Sequence, residues 1–289
     1  MTTTPSRYDL AVCYRIYPGL SGNPIFGFKE KLPLLRLNLE TFKGSLGNLR
    51  VKIWVLLDNC PPPYAELLKT IFPDTDMEII RLAGEGNGAT FRRQADILAG
   101  QTDSELVYFA EDDYLYLPGS LQRTVEFMSA HPDADFATLY DHPDSHNKFI
   151  HRIRTEAIEE DGCRWRKVVS TCLTFMAQKR ALVDSTKVFK TYNKNPDLGL
   201  WLALTKIRVC NPWSWVRSAG DGLFFSASHA LAWRYAWHQI IFGKRRSLWS
   251  PMPALGTHME TNGLAPGVDW QGIFGARAAI LKTQLKQAS

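Results

Sequence analysis

The chemistry in this chain is concentrated in FAEDDYLYLPGSL, Phe109 to Leu121. There an apolar run delivers three consecutive carboxylates, Glu111, Asp112 and Asp113, into a loop ahead of a proline-started helix. Carboxylates crowded at the end of a buried strand repel one another and lose hydration, so a cation or a positive ligand group is needed to keep them ionised. A hard divalent ion that shares phosphate oxygens with the protein is the usual solution. Alternation along an extended backbone lets Glu111 and Asp113 face the same ion. The competing account is a solvated acidic turn. A second polar group, Asp141, His142, Asp144, His146 and His151, has no standard zinc spacing and reads as a solvated loop. Gly84-Glu85-Gly86-Asn87-Gly88-Ala89 fits G-x-G-x-x-A. It follows the third strand pattern instead of the first, so it is weak support for a dinucleotide site. Neither G-x-x-x-x-G-K-[ST] nor G-x-S-x-G occurs, which removes support for kinase-like and hydrolase-like readings.

Positioning these residues requires a sheet. Tyr8–Tyr14, Val51–Leu57, Met77–Leu82, Leu106–Ala110 and Phe136–Tyr140 read as buried strands. Helical spacing predicts helices over Lys29–Phe42, Tyr64–Ile71, Ala89–Ala99 and Pro118–Ser129 between them. Such alternation predicts a mostly parallel α/β sheet covered on both faces, with ligands at the carboxyl ends of the strands, where the acidic cluster lies. Beyond Tyr140 the pattern loosens. Asp141–Gly162 is expected to be a polar excursion, Trp165–Ala177 one or two strands, Lys179–Phe189 and Leu198–Ile207 helices, and Asn211–Gly220 a loop. Ser226–Phe242 is an apolar helix followed by Lys244-Arg245-Arg246. The expected organisation is one domain whose first half is 1–140 and whose elaborated second half is 141–289.

FAEDDYLYLPGSL resembles the metal-binding segment of nucleotide-sugar-dependent glycosyltransferases of the GT-A fold, family 2 especially, in which an apolar strand and an acidic D-x-D-type cluster lead into a helix. GNGATFRRQADIL, Gly86 to Leu98, is similar to that family's N-x-G-x-x-x-A-R-N segment. Leu56-Leu57-Asp58-Asn59 resembles its second-strand aspartate, and NPDLGLWLAL, Asn195 to Leu204, its E-D-x-D-L-W-L segment. The ordered matches cover roughly residues 8–205. The chain departs from the pattern in two places. Tyr14-Arg15-Ile16-Tyr17-Pro18 stands where the family has P-T-Y-N, and Pro196-Asp197 stands where it has an acidic pair.

The resemblance implies a GT-A-like, Rossmann-related fold with a C-terminal acceptor region. It implies transfer from a nucleoside diphosphate sugar to a glycan or lipid-linked acceptor, by inversion and with Mn²⁺ or Mg²⁺ stabilising the departing diphosphate. It makes Asp113 the first metal ligand, with Glu111 and Asp112 sharing metal and ribose. Tyr14, Arg15, Asp58 and Asn87 fall to the nucleotide sugar. Arg92 or Arg93, but not both, would meet phosphate at a helix N-terminus. His258, in PALGTHMETNG after a late strand, would be a further metal ligand. Asp197 is the base for the acceptor hydroxyl by resemblance. Asp221, flanked by Gly220 and Gly222, is its rival, since glycines allow close approach; either aspartate could instead cap a helix or turn. A metal-dependent nucleotidyltransferase and a non-catalytic glycan- or membrane-binding relic of the fold are the alternative functions.

Composition bounds these readings. With 45% hydrophobic and 22% charged residues, the chain is neither disordered nor fibrous. Its five scattered cysteines contain no C-x-x-C pair and suggest reduced thiols in a cytoplasm. Met1–Ser6 lacks a basic segment followed by an apolar one, so no secretory leader is expected. The net charge of +5 is uneven: residues 201–289 hold ten Lys and Arg against three acids, and six of the nine tryptophans lie from Trp201 to Trp249. No long basic run invites nucleic acid. The apolar helix 226–242 could lie in a membrane interface at the inner face of the membrane, or bury against the sheet with its aromatics lining an acceptor pocket.

Overall fold

The computed structural model describes residues 7–20 and 22–288, with side chains as far as 284. Met1–Ser6, the segment read for a leader, lies outside them. In chain order the elements are β1 (Leu10–Ile16), α1 (Lys31–Ser45), β2 (Val51–Asp58), α2 (Pro62–Ile71), β3 (Asp76–Leu82), α3 (Asn87–Gly100), β4 (Leu106–Glu111), β5 (Tyr114–Tyr116), α4 (Ser120–Ala130) and β6 (Phe136–Ala137). There follow α5 (Asp144–Asn147), β7 (Ala157–Glu160), β8 (Cys163–Lys167), β9 (Phe175–Gln178), α6 (Lys179–Phe189), α7 (Asp197–Thr205), α8 (Pro212–Ala219), α9 (Leu223–Phe242), β10 (Leu248–Met252), β11 (Gly256–His258) and α10 (Trp270–Ala288).

The apolar runs of β1, β2 and β4 suit strands covered on both faces, and none of the three lies at an edge of the sheet. Nine strands run in the order β3-β2-β1-β4-β9-β6-β10-β8-β7. β3, β2, β1 and β4 are parallel. β9 then runs antiparallel to β4 and β6, and β8 antiparallel to β10 and β7. β5 and β11 form a separate antiparallel ribbon. The expected α/β sheet is present, and it is continuous through strands from both 1–140 and 141–289.

Period-two alternation divides the core into two layers. Leu10, Val12, Tyr14 and Ile16 of β1 pack in one with Leu34, Leu35 and Phe42 of α1. Ala11 and Cys13 pack in the other with Phe91, Ala95 and Leu98 of α3. β4 alternates in step: Tyr108 and Ala110 belong to the α1 layer, Val107 and Phe109 to the α3 layer. Extending both rows by one step puts Arg15 and Glu111 on the α3 side, at the carboxyl ends of their strands.

The second half departs from the sequence reading in detail. Residues 211–220, expected as a loop, contain α8, because Asn211 accepts from the Trp213 amide at 3.0 Å and Pro212 fits the first turn. The strand expected over 136–140 shortens to Phe136–Ala137, with Tyr140 making an isolated bridge to Gly256. β8 and β9 lie three positions apart in the strand order, separated by β6 and β10, so 165–177 is not one hairpin. Arg246 is not part of an exposed basic triplet. It is 7% exposed and bonds Asp135 at 2.9 Å and Asp184 at 2.7 Å, tying the start of β10 to α6.

Arg246→Ala would leave the buried Asp135 carboxylate without its counter-charge. The expected loss is about 3–5 kcal/mol in denaturant unfolding, the range for breaking a buried pair from one side. A loss no larger than that of a surface substitution would show that the pair does not anchor β10.

Candidate functional site

α1 leaves β1 on one face and α3 approaches β4 on the other, so the strand order reverses between β1 and β4. A crevice opens at the carboxyl ends of such a pair. Here it is a cavity of about 480 Å³ whose lining includes Arg15, Tyr17, Lys31, Asp58, Asn87 and the Glu111–Asp113 run.

Register sets the first contact. Arg15 lies directly beside Glu111 in the β1–β4 ladder, and the two side chains form an ion pair. The same guanidinium donates to the Asn87 carbonyl at 2.9 Å and side chain at 2.6 Å, and to Thr90 at 3.3 Å, while resting over the Phe91 ring. The other Glu111 oxygen accepts from Thr174 at 3.0 Å. Asp112 turns to the other side, where Lys31 of α1 reaches it at 2.9 Å and the Tyr17 amide at 2.8 Å. Burial pushes the Asp112 carboxyl up, against the opposing pull of Lys31.

Asp113 differs from both. One of its oxygens lies 3.2 Å from His258 Nε2, and the other is buried with no hydrogen-bond partner. The β5–β11 ribbon makes this contact by pairing His258 with Tyr114, and the Met259 amide donates to the Asp113 carbonyl at 2.7 Å. Burial disfavours the charge on both groups. Their mutual attraction outweighs it, holding Asp113 below the usual carboxylate range and raising His258 to about 9. The carboxylates are therefore neutralised largely from within the chain, by Arg15, Lys31 and His258. Among the described residues no three His, Cys, Asp or Glu side chains converge as a ready metal site. The free Asp113 oxygen is the donor that fits a divalent ion, and His258 fits only after Nε2 loses the proton that it shares with Asp113. Glu111, read from sequence as a ligand, has its two oxygens on Arg15 and Thr174.

The glycine loop serves the site indirectly. Asp58 accepts from the amides of Gly84 and Glu85 at 2.8 Å and of Gly86 at 2.9 Å. Positive φ at Gly84 and Gly86 is what lets three successive amides converge on one carboxylate. The amides that a phosphate-binding loop would present are thus occupied by Asp58, and the loop ends by delivering Asn87 to Arg15.

Several sequence candidates lie elsewhere. Tyr14 faces the α1 layer, buried and bonded to Asn38, because alternation turns it away from Arg15. Arg92 and Arg93 do not line the cavity, and Arg93 pairs with Glu85 at 3.1 Å. Asp221 accepts from the Phe149 amide at 2.5 Å and holds a loop. Asp197 opens α7 and lines a separate cavity of about 150 Å³ with His142, Asp144, His151, Cys172 and Phe224. Burial, aided by nearby Glu111, raises its carboxyl to about 6 against the Leu198 amide. Burial drives His151 down to about 4, and its Nδ1 has no partner.

Sequence reasoning passed over Lys31, Asn38, Thr174 and Gln94. Gln94 donates to the carbonyls of Cys13 at 2.6 Å and Ala110 at 3.2 Å, clamping α3 onto β1 and β4. A signal existed for three of them: Lys31 and Asn38 share the stripe of Leu35 and Phe42, and Gln94 shares that of Phe91 and Leu98. A polar residue within a buried stripe has to find a partner. Thr174 carried no such signal.

No protein-family model matches the chain, and no curated protein matches it. Solved structures with a related arrangement of elements do exist. S. aureus TarS 1–349 in complex with UDP-GlcNAc has 10% identity and a TM-score of 0.43, over 83% of this chain and 57% of that one. The present chain thus spans little more than half of that structure's length. Mannosyltransferase PcManGT from Pyrobaculum calidifontis, in complex with GDP-Man and Mn²⁺, has 12% identity and a TM-score of 0.43, over 80% and 72% of the two chains. A CMP:2-keto-3-deoxy-manno-octonic acid synthetase complexed with CTP has 11% identity and a TM-score of 0.40, over 95% and 99%. Likenesses this distant do not by themselves say what the chain does.

Asp58→Ala would leave three loop amides without their charged acceptor. Unfolding in urea is expected to show a loss of about 2–4 kcal/mol. A change below about 0.5 kcal/mol, the scale of an ordinary surface substitution, would mean that the carboxylate does not hold the loop.

Proposed function

We propose that the chain transfers a sugar from a nucleoside diphosphate sugar to a hydroxyl of a glycan or lipid-linked acceptor, with a divalent metal, by single displacement with inversion. The observation that carries this reading is the free, buried oxygen of Asp113, a residue that pairs with His258 and lines a cavity sized for a small ligand. Arg15, Lys31 and His258 are already balanced against Glu111, Asp112 and Asp113, so the cavity has little positive charge left for a diphosphate. Asp113 would hold Mn²⁺ or Mg²⁺ through its free oxygen, with His258 as a second donor once Nε2 has given up the proton that it shares with Asp113. The metal would supply Lewis-acid stabilisation of the leaving diphosphate.

The chain's own residues account for the rest. Asn87, held by Arg15 and donating to the Tyr192 hydroxyl at 3.0 Å, forms part of the wall against which the donor would bind. Asp197 accepts the proton as the acceptor oxygen bonds to the anomeric carbon and the bond to the diphosphate breaks. This requires its cavity to open onto the donor's on the side of Glu111, whose charge it feels. A carboxyl near pH 6 is ionised at neutral pH and retains basicity, which suits a general base. The nucleotidyl-transfer alternative would release pyrophosphate, whereas sugar transfer releases nucleoside diphosphate. Analysis of the products from a panel of nucleotide sugars separates the two.

The metal assignment predicts that nucleoside diphosphate binds more tightly with Mn²⁺ than with EDTA, and that Asp113→Ala removes the difference while the fold persists. Equal affinities in calorimetry for the unaltered chain would refute it.

Asp197→Asn should keep donor affinity and lose turnover by at least roughly 10²-fold, and wild-type rate should rise with pH through about 6. Asp221→Asn should retain the chemistry. The raised pKa also affects stability. Burial favours protonated Asp197, a contribution present below the unfolded value near 4 and lost as pH rises through about 6. At pH 8 Asp197→Asn is therefore expected to be more stable than wild type by about 1–3 kcal/mol, with the gain vanishing below pH 4. An active, unstabilised Asp197→Asn chain would sink the assignment.

A further inference from the structure

α9 is neither wholly buried nor wholly exposed. Phe225, His229, Ala232, Ala236 and Ile240 turn inward, and the helix packs on α7 and α8. Outward it presents Leu223 (82% exposed), Phe224, Trp237, Ile241 and Phe242 (76%), near Trp213 of α8 (75%). Apolar side chains this exposed and this close in sequence mark a contact surface. The segment carries one sign of charge, with no Asp or Glu from Gly222 to Met259 and with Arg234, Lys244 and Arg245 exposed on and just beyond the helix. Acids come to it from elsewhere, Asp221 ahead of the helix and Asp133, Asp135 and Glu156 in a cavity shared with Lys244 and Arg245.

The charge selects the occupant. A second copy docked through this face about a two-fold axis would set the cations against their own images. An anionic bilayer satisfies both features, taking the aromatic and aliphatic side chains into the headgroup boundary and the cations at its surface. We propose that α9 and the adjoining end of α8 dock on an anionic bilayer. No described helix is long and apolar enough to cross a membrane, so the association is peripheral. Phe224 both lines the Asp197 cavity and belongs to the exposed set. Docking therefore brings that cavity to the lipid surface, where a lipid-borne hydroxyl can enter. That consequence rests on the transfer reading; the docking itself does not.

The test is co-sedimentation with phosphatidylcholine vesicles with and without phosphatidylglycerol, at low and high salt. The protein should bind only the anionic vesicles, and salt should weaken binding. Trp237→Ser and Phe242→Ser, both at exposed positions, should each lower partitioning about tenfold. Lys244→Gln and Arg245→Gln should each lower it about fivefold. Failure to bind anionic vesicles at low salt would overturn the proposal. So would binding unchanged by the aromatic substitutions, or a concentration-dependent dimer that those substitutions abolish. Donor binding, measured by calorimetry on the same preparations, reports on the transfer reading separately.

Discussion

Everything at the candidate site depends on the register between β1 and β4. Two parallel strands aligned so that Arg15 faces Glu111 bring opposite charges together at the point where the strand order reverses. A slip of one residue would turn Glu111 toward the α1 layer and set Ala110 or Asp112 opposite Arg15 in its place. With the register in place, the guanidinium has donors left for Asn87 and Thr90, and so the first turn of α3 is fixed to the end of β1. Gln94, one turn further on, binds carbonyls of both strands. Strand, strand and helix thus meet in a junction that makes its own polar contacts.

This junction changes the meaning of the acidic run. Three adjacent carboxylates suggest a site waiting for external positive charge. The fold instead supplies Arg15 to the first and Lys31 to the second, and leaves the third with His258 and one free oxygen. Proximity in sequence says little about equivalence, because successive side chains at a strand end point to different faces. Of the three, only Asp113 combines burial with an unspent acceptor, while Glu111 and Asp112 are paired with cations of the chain itself.

The basic, tryptophan-rich second half divides in a similar way. Arg246 and Arg277 are committed to Asp135, Asp184 and Glu40, so the charge surplus overstates what the surface offers. Exposed cations remain on and just beyond α9, a helix that carries no acid of its own. α8, hidden in sequence by its Pro and Trp content, packs alongside and extends that face.

Sequence alone determined the α/β layering, the order of the first four strands and helices, and the strand-end location of Glu111, Asp112 and Asp113. These follow from local patterns: apolar runs of strand length, helical stripes, and an acidic break between them. It also separated Asp197 from the acidic run. Tertiary structure decided which candidates share a cavity, since that depends on pairing across tens of residues. Arg15 finds Glu111 through a ladder, His258 finds Asp113 through a two-stranded ribbon, and Lys31 reaches Asp112 from a helix on the opposite face from α3. The same long-range packing withdrew Tyr14 into the core, gave Asp58 to the glycine loop and Asp221 to a turn, and left Arg92 and Arg93 outside. A residue's type states what it can bind, but its available partners are set by the neighbours that folding brings, and those are not local in the chain.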